Sequence, residues 1–507
     1  MKYLFAVLAV CLVLASVALY AAMPGLQSEV PVIYWVTDNN PARKEQVRLY
    51  HEWLLENEER LVELGYDPEL DGERPVELRL DTGNRDTRKQ MIQGVSGVGS
   101  DVMDLTSSWI PFFQELGILA DMKGHAERLR FGPERTYEAI HPELVFEGGQ
   151  WGFPCNVAAN MLWVNKATFE RFDQPLPPRR WTVEEFERRG KAFVEAANIE
   201  GTRREFFFAN TLHTLKLYRS MGLSMFNETL TASALDDPRY VRALELKRKW
   251  TYEDHILPTA AEAASFDTQS GYGGASLQLF NRGNYAMVDI GRYALIQLRR
   301  FGSMELDVVE PPNAGYPNIL VQSRVGTVYV DGHVELAATF LSYLASETYN
   351  MQIVRDGDAL PPNPVFTETE LFKRPPNHPN EWGVHETFSN AATTIGHANV
   401  HSPFILQSVA SRHANDAEDS FLNRAGFTAE QAARQVARRT NDVIERNVSD
   451  RPDLKRMYDD ALERQARIDE LKAAGEPIPA ELIDNHFLRR YYADRGMLAP
   501  PADSAAE

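Results

Sequence analysis

Trp35, Thr37 and Asn39, followed later by Ser108 and Trp109, crowd aromatic, hydroxyl and amide groups into two short stretches of this chain, 35–40 and 106–109; a third, 81–84, adds Asp81 and Asn84. Ring faces lie against apolar surfaces and planar amides both donate and accept hydrogen bonds, so these residue types suit holding a polar ligand rather than breaking a bond. Asp81, Asp86 and Asp289 are carboxylates that either bind hydroxyls or an amine, or cap helices, and both readings stand. Metal and nucleophile chemistry finds few groups to use. The only cysteines are Cys11, within an apolar N-terminus, and Cys155, which reads as a small packing residue beside Pro154. The 12 histidines show no H-E-x-x-H spacing and no C-x-x-C pair exists, so neither structural zinc nor any other cofactor is expected. Gly94, Gly97 and Gly99 lack the order of a dinucleotide fingerprint. Among 72 acidic residues no motif singles out a catalytic pair, and the chain does not read as an enzyme.

The clusters sit at the ends of β-rich runs at residues 32–36, 76–80 and 101–105, with helical patterns at 43–64, after 82–84 and at 111–119. Strand and helix alternating at this spacing imply a parallel sheet with crossover helices, and such sheets bind ligands at the carboxyl ends of their strands. Residues 152–186 read as a passage between domains. Within them an apolar run from Met161 to Val164 is followed by Pro177 and Pro178, then by a helix start with Thr182 and Glu185 spaced as a capping box and Trp181 and Phe186 as a hydrophobic staple. Beyond lie mainly helical sequence to about residue 254, strands near 308–312 and 326–330, a helix over 334–345, a loop-rich stretch at 367–402 and a charged helix over 453–473. That last helix carries a thin apolar stripe of Leu454, Met457, Leu462, Ile468 and Leu471. Residues 500–507 are expected to be disordered.

A chain of 507 residues buries more than one core, so two or more lobes are expected. The formal charge of -19 repels nucleic acid and anionic membrane surfaces and favours a neutral or cationic ligand. Residues 1–23 carry Lys2 and then an apolar run long enough, at about 1.5 Å per residue, to cross a bilayer of roughly 30 Å. The segment is an export signal, with Ser16-Val17-Ala18 as its small-x-small site, or a retained anchor tethering the protein through residues 4–23. Either way the remainder lies outside the cytoplasmic membrane, in the periplasm or its equivalent.

An exported N-terminus, YWVTDNN, GSDVMDLTSSWIPFFQELGILADM, WGFPCNVAANMLWVNK, PPRRWTVEEF, FNRGNYAMVDIGRY and VELAATFLSYLASE occur in one order. The series resembles the extracellular solute-binding proteins of family 1, the sugar-binding subunits of ABC importers typified by maltodextrin-binding protein, over residues 32–447. The resemblance implies an α/β, two-lobed periplasmic-binding-protein-like fold with ligand in the cleft and several interlobe crossovers, near 154–157, 308–312 and 361–367. It divides the chain into a signal or anchor (1–23), an N-lobe (30–153 plus 310–366), a C-lobe (154–309 plus 367–450) and a helical C-terminal extension with its tail (451–507). The ligand residues it implies are Trp35, Thr37 and Asn39 at the first strand end, Ser108 and Trp109 at the third, Asn156 and Asn160 in the crossover, Arg292 and Tyr293, and Trp382 in the late loop. Tyr293 stands where the family's G-x-W pattern has a stacking tryptophan, and Ala158 where an acid is usual. Trp53, Trp151, Trp163 and Trp181 are assigned to packing.

A pyranose presents an apolar C–H face to a ring and a rim of hydroxyls to planar donors and acceptors, so these residues suit a mono- or oligosaccharide delivered to a membrane permease. Covering about 100 Å² of such a face gives roughly 2.5 kcal/mol, and two rings with several hydrogen bonds reach micromolar affinity, about -8 kcal/mol. A carbohydrate-active enzyme and a membrane-anchored sensor or scaffold on the same fold are the rival readings.

Overall fold

The computed structural model describes residue 11 and residues 14–16, 30–63, 76–201, 203–266 and 274–500. Most of the apolar N-terminal run and the tail from 501 onward lie outside the described residues, among which no helix is long and apolar enough to cross a membrane. The strands are β1 (Val32–Val36), β2 (Glu77–Asp81), β3 (Val102–Thr106), β4 (Val145–Phe146), β5 (Gly149–Gln150), β6 (Phe153–Ala159), β7 (Met161–Asn165), β8 (Phe207–Ala209), β9 (Tyr285–Ile290), β10 (Leu306–Val309), β11 (Ile319–Val328) and β12 (Gly396–His397).

Two larger sheets result. The first runs β2-β1-β3-β11-β12, with β6 also paired to β11; the second runs β10-β7-β9-β8. Strands β1, β2 and β3 are parallel because the helices Arg43–Glu56 and Thr87–Val95 carry the chain back between them. The ladder to β11 is antiparallel. Asp86 caps the second of those helices, accepting from the amides of Arg88 and Lys89, which settles that carboxylate as a cap. The helix expected over 43–64 ends at Glu56 and restarts as Glu58–Glu63.

Each lobe has its own core. Trp35, Tyr50, Trp53, Phe340 and Tyr343 fill the first, with Trp35 and Phe340 centroids 4.9 Å apart. In the second, Trp181, Phe186, Phe208 and Trp250 pack in sequence, and the 5.4 Å Trp181–Phe186 contact is the staple read from the sequence. Only half of the capping box forms: Thr182 accepts from the Glu185 amide, while the Glu185 carboxylate turns to Arg189 instead. A third core joins the lobes, running from Leu105 and Ile110 through Val157 and Leu360 to Trp163, Val288 and Phe388.

The chain passes between the sheets at Asn160, where β6 gives way to β7, and again through residues 310–318 between β10 and β11. It leaves the first lobe again at 357–363, packs the helix Val384–Thr394 at the joint with Phe388 on Trp163, returns to the first sheet as β12 and crosses to the second lobe through 398–406. The first passage corrects the expected 154–157. Pro154 does not end its strand, because it lies beside the register shift at Arg324 and Val325, where the missing N–H is tolerated, and β6 stays paired to β11 as far as Ala159.

The C-terminal segment is also corrected. It is part of the second lobe rather than an appendage: the helices Pro452–Ala474 and His486–Asp494 contribute Leu454, Ala461, Ile468, Leu471, Phe487, Leu488 and Tyr492 to that core. Met457 and Leu462, read as part of the buried stripe, face outward, and Ala461 takes the inner position.

Candidate functional site

Because β6 runs straight through Asn160 into β7, the carboxyl ends of β1, β3 and β6 face the second sheet at the end where β8 and β9 finish and β7 begins. The groove between those ends is the site the topology builds.

Its first wall is charged. Thr37 is buried and donates its hydroxyl to Asp104 Oδ2 at 2.5 Å, while Arg324 reaches from β11 to both Asp104 (2.8 Å) and Asp38. Arg43, fully buried at the start of its helix, binds Asp38 at 2.9 Å and Asp358 of the third passage at 3.1 Å. Burial works against ionising Asp38, yet Arg43 and Arg324 outweigh it and hold the carboxyl below the usual range. At Asp358 complete burial wins and pushes the carboxyl up despite Arg43. Asn39 is exposed and accepts from Arg85; Ser108 shares a 3.2 Å hydroxyl contact with Thr106; Trp109 is half-buried beside Phe112. Asp81 ties its own turn, accepting from the amides of Gly83 and Asn84.

The second wall ends in unsatisfied acceptors. Lys216 donates to Asp289 Oδ1 at 2.5 Å and to the Asn160 carbonyl at 3.2 Å, and the two charged side chains are 1% and 0% exposed. Asn210, just after β8, accepts from the Asp289 amide at 2.9 Å. Asp289 Oδ2 and Asn160 Oδ1 are buried without any partner. The Tyr293 ring lies over Gly291: a methyl group there would stand 2.6 Å from the ring edge and 3.2 Å from Asn160 Oδ1. Burial pushes the Tyr293 hydroxyl up, and the Asp289 charge adds to the effect.

Thr37, Asn39, Ser108, Trp109, Asn160 and Tyr293 therefore occupy the facing strand ends. Four other candidates do not. Trp35 is wholly buried, its indole N–H donating to Asp104 at 2.7 Å, because the alternation along β1 turns it with Ile33 into the lobe core. Asn156 donates to Asp358 as a brace on the third passage. Arg292 points into the joint between lobes, donating to His385 Nδ1 and to the Ala359 carbonyl over the Phe372 ring; burial first, and then Arg299, lower it to about 9. Trp382 is 52% exposed and bonded to Pro375; neighbouring Asn380 holds Met304 at the start of β10, the end of the second sheet remote from the groove.

Asp38, Arg43, Asp104, Arg324, Asn210 and Lys216 were not anticipated. An acid amid apolar strand residues, as in V-M-D-L, is the one local signal that could have found Asp104; M-V-D-I around Asp289 has the same form.

No protein-family model matches the sequence, and no curated protein matches it. Solved structures do. An ABC substrate-binding protein from Listeria monocytogenes, in complex with cycloalternan, superposes with a TM-score of 0.66 at 18% identity, covering 82% of this chain and 99% of that one. The fold is that of ABC solute-binding proteins. A solute-binding protein from Thermotoga lettingae bound with alpha-D-tagatose gives 0.63 at 15% identity over 82% of this chain and 100% of its own. UgpB from Mycobacterium tuberculosis in complex with glycerophosphocholine gives 0.64 at 12% identity over 82% and 99%. Three different ligands on one two-lobed frame leave the identity of the ligand to the side chains of the groove.

Proposed function

We propose that this protein is the extracytoplasmic binding component of an ABC importer, capturing a mono- or oligosaccharide by lobe closure and presenting the closed form to a membrane permease. The observation that carries the reading is the pair of orphan acceptors, Asn160 Oδ1 and Asp289 Oδ2, on the wall that also carries the Tyr293 ring. An unpartnered buried acceptor costs about 1–3 kcal/mol, which a hydroxyl donor recovers on binding. Tyr293 turning aside opens the pair and offers a ring face to the sugar, opposite Trp109 on the other wall. The strand-end acids Asp38, Asp104 and Asp289 are each bound to a cation, an arrangement suited to shaping a groove rather than to acid–base turnover. Contacts made only when both walls meet shift the equilibrium toward closure.

The same two acceptors, on a wall with an aromatic ring, also favour a second reading, a solute carrying an ammonium group. A thermal-shift screen separates the two. Stabilisation that rises with free sugar concentration is expected. A panel of mono- and oligosaccharides that leaves the melting temperature unmoved, while a quaternary ammonium solute raises it, would overturn the carbohydrate assignment.

A further inference from the structure

We infer that the C-terminal segment, residues 451–500, is a built-in strap that sets the balance between open and closed lobes: it is anchored on the passages between the lobes and on β12 at the edge of the first sheet, and at its other end it is latched to the helix Ile110–Glu115 of the first lobe by an exposed, breakable ion pair. The anchoring is dense. Arg490 donates to the carbonyls of Thr394 (2.5 Å) and Gly396 (2.9 Å), His486 bonds the Asn399 carbonyl at 2.9 Å, and Arg495 donates to the Gly315 carbonyl at 2.9 Å. Tyr316, in the second passage, donates its hydroxyl to Asp494 at 2.7 Å and meets the edge of Tyr491 at 5.0 Å. The Tyr491 ring fills the space over Gly222, where a methyl group would come within 2.2 Å of it. The strap therefore holds residues 313–316 and the β12 strand that pairs with the start of β11.

The latch lies at the other end. Arg451, which opens the helix Pro452–Ala474, pairs with Glu115 of the first lobe and also with Asp453. Glu115 closes the helix Ile110–Glu115, which continues directly from the turn Ser107–Trp109 on the groove wall. The pair thus ties the strap to the element that carries Trp109. Arg451 and Glu115 are 40% and 42% exposed, so water and salt weaken their attraction and the latch opens reversibly. Between them the strap and the lobes border an open pocket of about 760 Å³, walled by Gln114 and Phe146 from the first lobe, Leu230 and Phe404 from the second, and Leu454 and Met457 from the strap. At this edge the first lobe faces the strap across a gap rather than through a packed interface, so the edge can open while the shared core at the joint stays packed.

Pulsed electron–electron resonance tests this without any ligand, so its failure is separate from a failure of the sugar assignment. Nitroxides are attached at Arg88→Cys and Glu195→Cys, both exposed, one on each lobe, in a Cys11→Ser background because Cys11 is exposed; Cys155 is buried and stays unlabelled. Arg451→Glu is expected to change the ratio of the two interlobe distance populations by roughly 2- to 5-fold, the double swap Arg451→Glu with Glu115→Arg to restore the wild-type ratio, and 1 M salt to imitate the single variant. Wild-type distances in Arg451→Glu, with an unchanged melting temperature certifying that it folds, would overturn the proposal. A shift that the charge swap fails to reverse would overturn it equally.

Discussion

Lys216 and Asp289 place a full positive and a full negative charge out of water at the mouth of the second sheet. A buried pair contributes little net stability, but removing one partner strands the other: Asp289→Ala should cost about 3–5 kcal/mol, and adding Lys216→Met should recover most of it, both read from urea unfolding midpoints. The two tryptophans first read together should separate cleanly. Trp35→Ala, which empties a core site, should cost about 3–5 kcal/mol, whereas Trp109→Ala should leave the unfolding midpoint within about 0.5 kcal/mol and weaken ligand instead.

Protonation adds a further residue-level signature. Glu143, 1% exposed and accepting from the Ser323 amide and hydroxyl, is pushed by burial to about 7, from an ordinary 4.5. The folded state then binds more protons than the unfolded one between those values, so this group's contribution falls as pH rises from 4.5 to 7, by about 3 kcal/mol at most. His401 and His486 act in the opposite direction. Burial lowers them to about 4 and about 3, the unfolded chain takes up protons first below 6.5, and stability falls as the solution is acidified through that window. Glu143→Gln should therefore be more stable than wild type at pH 8 and lose that advantage by pH 4.5, as melting curves across pH would show.

At the scale of elements, β6 depends on Gly152, where a methyl group would stand 2.4 Å from the Gly326 carbonyl of the neighbouring strand at a φ of 158°. Gly152→Ala should destabilise by at least about 1–3 kcal/mol and loosen the β6–β11 ladder, visible as faster amide exchange from Phe153 to Val157. Regular elements were legible in the sequence because their signals are local. The expected strand at 32–36 matches β1, those at 76–80 and 101–105 lie one residue from β2 and β3, and the helices at 334–345 and 453–473 differ from the observed ones by a residue at an end. The failures are equally physical. The first crossover was expected at 154–157, whereas β6 runs on to Ala159 because it stays paired to β11 through an irregularity at Cys155, and that partner lies more than 150 residues away in the chain. In β1 both faces are rich in apolar side chains, so the pattern does not say that Tyr34 points out while Trp35 points in. Lys216 sits in an ordinary helical repeat, and only the fold brings it to Asp289.

The described residues form two larger sheets joined end to end by passages at 160, 310–318, 357–363 and 398–406, with the groove where the strand ends meet. A shared core and the Arg43 network stiffen the joint on one side and the C-terminal strap crosses it on another. The two-lobed plan was legible from the order of weak motifs, whereas the groove was legible only in part: Thr37, Asn39, Ser108 and Trp109 were read at strand ends and stand there, but the charges that fix those ends were not read. The most direct measurement is calorimetric titration of an oligosaccharide panel into wild-type protein and into Trp109→Ala and Tyr293→Ala. The account predicts one or more sugars binding with micromolar affinity, about -8 kcal/mol, and at least about a tenfold loss in each variant. Sugar binding that both variants leave untouched, or no binding by any sugar, would contradict it.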